Sequence, residues 1–287
     1  MSTKKKATKT KTAPKLNTPT LEDVMAVRLL VRAREDFQSQ RKRMDNRMGR
    51  KADGDAQNVQ ERAIHAEDAE LFVGISDAAR QQEAEIEKKL KKVLKRFPVY
   101  TEWLLNVKGV GTIAAAQIIG NIDIHKATTV SKIWQYCGLN PGMVEGKKRV
   151  ENADGTFKLI PTGKLIRGDK LTAGFVAPYN KNMRTALCGV LADGFIKAQA
   201  PYALEHYYPY KERLANSEKV TEEIRKAGAK AESIAWKDAK PAHRDRAAKR
   251  KMIKAFLSDL YVAWRTLEGL EVRPPYQEQY LGHKHAS

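Results

Sequence analysis

Lys108-Gly109-Val110-Gly111-Thr112 sets a cation, two glycines one residue apart and a hydroxyl just ahead of the apolar run Ile113–Ile119. Residue types in that order suit phosphate. Glycines permit a tight turn and let a ligand approach the backbone closely. The helix that follows would offer its unpaired N–H groups and positive dipole end to an anion. Thr112 fits an N-cap, Val110 would tuck between the flanking helices, and Lys108 adds charge beside the turn. A bare Gly-x-Gly is common by chance. The whole unit of apolar helix, turn and Ala-rich helix makes the pattern moderately specific. Such a turn would grip a nucleic-acid backbone without reading its sequence.

Further basic groups recur downstream. Lys147, Lys148, Arg149, Lys164, Arg167 and Lys170 surround a predicted β-hairpin whose turn is Asp154-Gly155, the strongest short-range hairpin signal. A two-stranded ribbon fits a nucleic-acid groove. Lys181 and Arg184 lie in YNKNMRTALCGVL, and Arg246, Arg250 and Lys254 are spaced by four, which puts them on one helical stripe. Tyr202, Tyr207, Tyr208 and Tyr210 have the chemistry to stack on bases, but core packing and loop anchoring are the expected use. His283 and His285 sit in an extended tail with no ligand cluster beside them, so no metal site is predicted.

The charge balance agrees with a polyanionic partner. Lys and Arg number 53 against 34 Asp and Glu, a net charge of +19 over 287 residues. That excess steers encounters with nucleic acid. A hydrophobic fraction of 42% is enough for a core, yet no run of about 18 apolar residues marks a membrane span. The basic start MSTKKKATKTKTAPK has no apolar segment of the signal-peptide kind. Cys137 and Cys188 fall in apolar helical stretches and are expected as reduced, buried thiols. A cytoplasmic, nucleoid-associated protein follows, with no cofactor.

The elements that must position these groups are mainly α. Residues 1–17 read as a disordered basic arm. Residues 18–98 form a helical hairpin or coiled-coil arm. Its first helix is capped by Thr20 with Asp23, and carries the stripe Leu21, Val24, Met25, Leu29 and Phe37. A second helix runs from about Val59 to Phe97 and ends at Pro98. The arm's apolar stripe offers a seam for a homo-oligomer. Residues 99–210 hold the helix-hairpin-helix core and the single predicted β-hairpin, and 211–270 hold a charged segment and a last helix. Ile253, Phe256, Leu257, Leu260, Trp264 and Leu267 form the buried face of that helix. A tail occupies 271–287.

LLNVKGVGTIAAAQIIGNI followed by TTVSKIWQYCGLNPG resembles the C-terminal domain of the insertion-sequence transposases of the IS one-ten, IS-one-sixteen and IS-nine-oh-two family. Gly138, Leu139 and Pro141 match that family's Gly-Leu-x-Pro helix end. Asn180 and Arg184 match its later Asn-x-x-Leu-Arg helix, where Tyr179 and Met183 depart from the pattern. The likeness spans roughly residues 75–285, and it implies a DNA-binding domain of the transposition machinery. Two catalytic parts of the family are not evident. Residues 1–97 show no RNase-H-like pattern, and Asp23, Asp36, Asp45, Asp53, Asp55 and Asp68 look like helix-surface or loop carboxylates rather than a Mg²⁺ cluster. The family's nucleophilic Ser has no counterpart, since the matching loop offers only Thr156, Thr162 and Thr172. Thr162 is the weak candidate, without an evident activating base.

The expected activity is therefore binding of a DNA, or structured RNA, backbone. One alternative is a recombinase that uses Thr162 or a partner's acidic domain with Mg²⁺. The other is a helical scaffold that oligomerises through its arm.

Overall fold

The computed structural model describes residues 19–48, 66–223 and 231–274. The expectations for the basic arm, for 49–65 and for the tail beyond 274, with His283 and His285, lie outside the described residues. The protein is mainly helical.

Helix α1 (Leu21–Met48) starts on the expected capping box: Thr20 Oγ1 accepts from the Asp23 N–H at 3.2 Å, and Asp23 Oδ2 accepts from the Thr20 N–H at 3.0 Å. Helix α2 (Ala66–Leu94) returns antiparallel beside it, with Asp23 bound to Arg96, Arg34 to Glu87 and Asp45 to Arg80. The expected stripe on α1 is rotated. Leu21, Met25 and Leu29 are exposed, whereas Val24 and Phe37 of that stripe pack half-buried on the core beside the buried Val27 and Val31. Helix α3 (Thr112–Asn121) packs on that face: Gly120 lies beside Val27, and the Arg28 Nε donates to the Gly120 carbonyl. The α2 stripe Ala79, Ile86, Leu90 and Leu94 is buried, and α1 and α3 both pack against α2. Part of the surface offered as an oligomer seam is thus used inside the chain, while Leu21, Met25, Leu29 and Leu71 stay exposed.

After Pro98 the chain forms a π-turn over Val99–Trp103 and a 3₁₀ turn over Leu104–Asn106. The regular helix expected before the glycine turn is absent there, replaced by two irregular turns. Helix α4 (Val130–Tyr136) leads into strands β1 (Met143–Glu151) and β2 (Phe157–Arg167), which pair antiparallel from Met143↔Arg167 to Glu151↔Phe157. The turn is a five-residue loop, Asn152–Thr156. Gly155 adopts φ +77°, and the Asp154 carboxylate accepts from the Thr156 N–H at 2.9 Å.

Helix α5 (Lys181–Thr185), a π segment over Ala186–Leu191 and α6 (Ala192–Lys197) run on without a break. A π segment over Ala203–Tyr207 precedes α7 (Tyr208–Ala215). The charged segment that follows contains a second ribbon, β3 (Val220–Glu223) paired with β4 (Glu232–Ala235), so the expectation of a single hairpin is corrected. Two four-residue strands with mostly polar, exposed residues leave little alternation to detect. The Glu223 carboxylate fastens this ribbon by accepting from the Lys240 N–H at 3.1 Å.

Helix α8 (Pro241–Leu267) closes the molecule. Its Ile253, Phe256, Leu257, Leu260 and Trp264 are buried as expected. Phe256 packs on Trp103, Phe195 and Tyr202 at ring separations of 5.6, 5.3 and 5.6 Å. Buried Arg265 donates to the carbonyls of Ile124, Ala127 and Glu271, which ties the turn after α3 to α8. The tyrosines do anchor elements: Tyr207 donates to Asp245, and Tyr202 to Asp259 at 2.6 Å. Among the described residues no helix is long and apolar enough to cross a membrane.

Candidate nucleic-acid interface

Six of the basic residues singled out in the sequence meet where α5, α8 and the loop after β2 come together. Arg246, Arg250 and Lys254 lie one turn apart on α8, as their spacing of four requires. Arg184 reaches the same place from α5, donating to the Asp169 backbone carbonyl and lying 4.9 Å over the Tyr179 ring. Arg167 grips the Asp169 carboxylate with two donors at 3.0 Å each, and Lys170 pairs with Glu222 at 3.0 Å. Lys254 sits 4.7 Å over Trp134 of α4. Among the described residues, Arg246 and Arg250 form no hydrogen bond or ion pair, and Lys254 forms none beyond its ring contact.

The cations of this group outnumber its carboxylates. The two carboxylates of the group are already engaged by Arg167 and Lys170, while the stripe on α8 keeps its charge. Burial, then the like charge of Arg184, pulls the Arg250 pKa below its ordinary value against the help of Cys188 and Asp169. Burial, with Lys251 and Arg250 nearby, does the same to Lys254. Cations held partly out of water without carboxylate partners cost stability. An arriving phosphate removes that cost, and guanidinium groups match its geometry.

The ribbon's basic residues lie on its outer half. Lys147, Lys148 and Arg149 are exposed on β1, opposite Pro161, Ile160 and Leu159. Arg149 stacks 3.5 Å over Phe157 and Lys148 lies 5.9 Å from Phe175, while Val176 donates to the Lys147 carbonyl at 2.8 Å. That last bond ties the loop carrying Asp169 and Tyr179 to the ribbon, so the ribbon and the α5–α8 cluster share one connecting segment. Lys181 is exposed at the start of α5. Thr162, the weak nucleophile candidate, donates its hydroxyl to the Gly146 carbonyl at 2.7 Å and accepts from the Lys164 N–H at 3.4 Å, both within the ribbon bulge. No titratable side chain is its hydrogen-bond partner there.

The glycine turn differs from expectation. Gly109 takes φ +95°, and a Cβ on it would lie 2.7 Å from the Phe195 ring and 3.3 Å from the Gly194 carbonyl. It is a packing glycine against α6. The Lys108 ammonium folds back to the Gln199 carbonyl at 3.5 Å. Thr112 is the first helical residue rather than the cap, which is Gly111 with φ −85° and ψ 167° and no side-chain cap. Val110 packs half-buried on the core. Gly111 alone keeps the expected openness, with no atom within 4 Å of a Cβ built on it.

Sequence reasoning missed Trp134, Tyr179 and Asp169. Nothing in SKIWQYCG marks Trp134 as the floor under a lysine 120 positions later. Cys137 and Cys188 are free thiols as expected, and burial pushes both pKa values up. No group of acidic, His or Cys side chains suited to a metal occurs among the described residues. No protein-family model, curated protein or solved structure matches the chain.

Proposed function

We propose that the protein binds the sugar-phosphate backbone of nucleic acid, with the α5–α8 cluster as the principal contact and the basic ribbon beside it. The observation that carries this reading is the α8 stripe Arg246–Arg250–Lys254, which lacks carboxylate partners and is crowded by Arg184. The net charge of +19 supports the same partner class. The resemblance to insertion-sequence transposases supports DNA and a role in recombination, with any Mg²⁺-dependent strand chemistry coming from a partner chain.

Fluorescence anisotropy on a labelled duplex tests it. Affinity falls steeply with salt, because each neutralised phosphate releases counterions. Replacing Arg184 and Arg250 together by Met weakens binding at every duplex sequence and lowers the salt slope by about one per lost phosphate contact. Salt-independent binding, or an unchanged affinity in the double variant, rules the proposal out.

A further inference from the structure

A second basic feature lies on the other side of α5. Between α1, α3 and α5 is a polar cleft of about 380 Å³, within the usual range of about 300–1,000 Å³ for ligand pockets. It opens beside the close α1–α3 crossing at Gly120, where a Cβ would already meet Arg28 and Val27 at 3.4 Å.

Its wall carries Arg28, Arg32, Glu35, Asn121, Asn182 and Tyr136. Arg32 and Asn182 form no hydrogen bond or ion pair among the described residues. Arg28 uses its Nε on the Gly120 carbonyl, which fixes the side chain and leaves its terminal amino groups without an oxygen partner. Glu35 accepts from the Gln117 amide at 3.1 Å through one oxygen, and the other remains available. Asn121 spends its amide N–H on the Gln117 carbonyl at 2.8 Å, which leaves its oxygen as an acceptor. Tyr136 is held by a 2.7 Å bond between its hydroxyl and the amide of Asn180, the cap of α5. Its ring is 38% exposed, enough to offer a face.

This set divides into two kinds of chemistry. Amide and carboxylate donors and acceptors beside an aromatic face suit the hydrogen-bonding edge of a nucleobase. Two guanidinium groups one turn apart on α1, at Arg28 and Arg32, suit a phosphate. We propose that the α1–α3–α5 cleft binds a nucleoside monophosphate, either free or as a nucleotide extruded from a bound strand. The site is separate from the α8 stripe and does not depend on it.

Isothermal titration of the full chain with adenosine, guanosine, cytidine and uridine monophosphates tests the site. At least one gives saturable 1:1 binding, weakened tenfold or more by Asn182→Ala and by Arg32→Ala. Both substituted residues are exposed, so both variants fold, and circular dichroism checks this. A duplex with one bulged nucleotide, compared with its fully paired parent, separates the two sources. Tighter binding to the bulge that Asn182→Ala abolishes assigns the site to an extruded nucleotide. Mononucleotide binding without bulge preference assigns it to the free ligand. Absence of both signals, or affinities unchanged in both variants, overturns the proposal. Arg184→Met with Arg250→Met leaves mononucleotide binding intact, which keeps failure here distinct from failure of backbone binding.

Discussion

Gly109 and Gly194 pass backbone against backbone: a Cβ added to Gly194 would lie 3.0 Å from the Gly109 carbonyl oxygen. With φ +95° at Gly109 and the Phe195 ring 2.7 Å from its would-be Cβ, this crossing fixes how the glycine turn sits on α6. Gly109→Ala therefore destabilises the fold by about 2–4 kcal/mol, combining left-handed backbone strain with an overpacked contact. Gly111→Ala, in open space and extended backbone, avoids both costs and loses only about 0.5–1 kcal/mol, because Ala is a poorer helix N-cap than Gly. Urea denaturation of both variants checks the contrast. Gly111→Val, with its stability measured alongside, then probes whether phosphate also approaches this turn: a loss of duplex affinity in excess of any loss of stability marks such a contact.

Arg250 lies among Arg184, Arg246 and Lys254 with no carboxylate of its own. Arg250→Met keeps an unbranched apolar stem and removes the repulsion. Stability in the absence of ligand is unchanged or rises by about 1 kcal/mol, since a partly buried unpaired charge is replaced by an apolar group. Duplex affinity near 0.15 M salt falls about tenfold or more, the loss of one charge-assisted phosphate contact. Thermal melting and anisotropy on the same preparation read both effects. A variant that melts lower and binds as well would make Arg250 a structural residue.

Periodicity carried most of the helical frame. The α8 face from Ile253 to Trp264 and the α2 face from Ala79 to Leu94 are buried where their spacing puts them. Spacing of four also placed Arg246, Arg250 and Lys254 together. Periodicity succeeded only in part on α1, where apolar residues on two faces compete: Val24 and Phe37 pack on the core with Val27 and Val31, while Leu21, Met25 and Leu29 stay exposed. The short ribbon β3–β4 escaped because its strands have four residues each and mostly polar side chains. The cleft against α5 and the aromatic floor at Trp134 arise from tertiary juxtaposition of separate segments. The glycine turn shows the converse case. Local sequence identified a tight turn correctly, but the same residue types serve helix packing at Gly109 and openness at Gly111.

The outer part of the arm is held by charge rather than by apolar packing. Buried Asp45 accepts from the Ser76 hydroxyl at 2.6 Å, Arg80 at 3.1 Å and Arg41 at 3.3 Å, and Arg41 also grips Glu83 at 2.6 Å. Burial alone would raise the Asp45 pKa, but Ser76, Arg80 and Arg41 outweigh it and hold the carboxyl below its ordinary value. A depressed carboxyl contributes stability above its unfolded pKa of about 4 and loses it as pH falls through the lower folded value. Asp45→Ala costs about 3 kcal/mol, because Arg80 and Ser76 lose their shared partner. Hydrogen exchange localises the loss to the two arm helices, and wild-type arm protection drops in the same segments below pH 4. Loss spread evenly over α8 would contradict a separable outer arm.

If the α8 stripe binds phosphate as proposed, His243 couples proton uptake to that binding. It stacks on Trp236 at 5.0 Å, and its Nε2 lies 3.3 Å from the Thr221 hydroxyl. Burial lowers its pKa. Arg250, Arg246 and Lys170 add to that effect, and Glu223 opposes it. In the free protein His243 thus stays neutral below its usual pKa of about 6.5, while the unfolded chain takes up a proton. Stability contributed by this group is full above that pH and declines as pH falls toward the folded value. Phosphate bound as proposed neutralises Arg246 and Arg250, which raises the histidine pKa and makes the bound state take up a proton. Duplex affinity therefore increases as pH drops from 7.5 to 5.5 at fixed salt. His243→Phe preserves the stacking on Trp236 and flattens that dependence. Anisotropy titrations across this range, with protein and variant compared at each pH, measure the effect. An equally steep pH dependence in the variant would place the linked proton elsewhere.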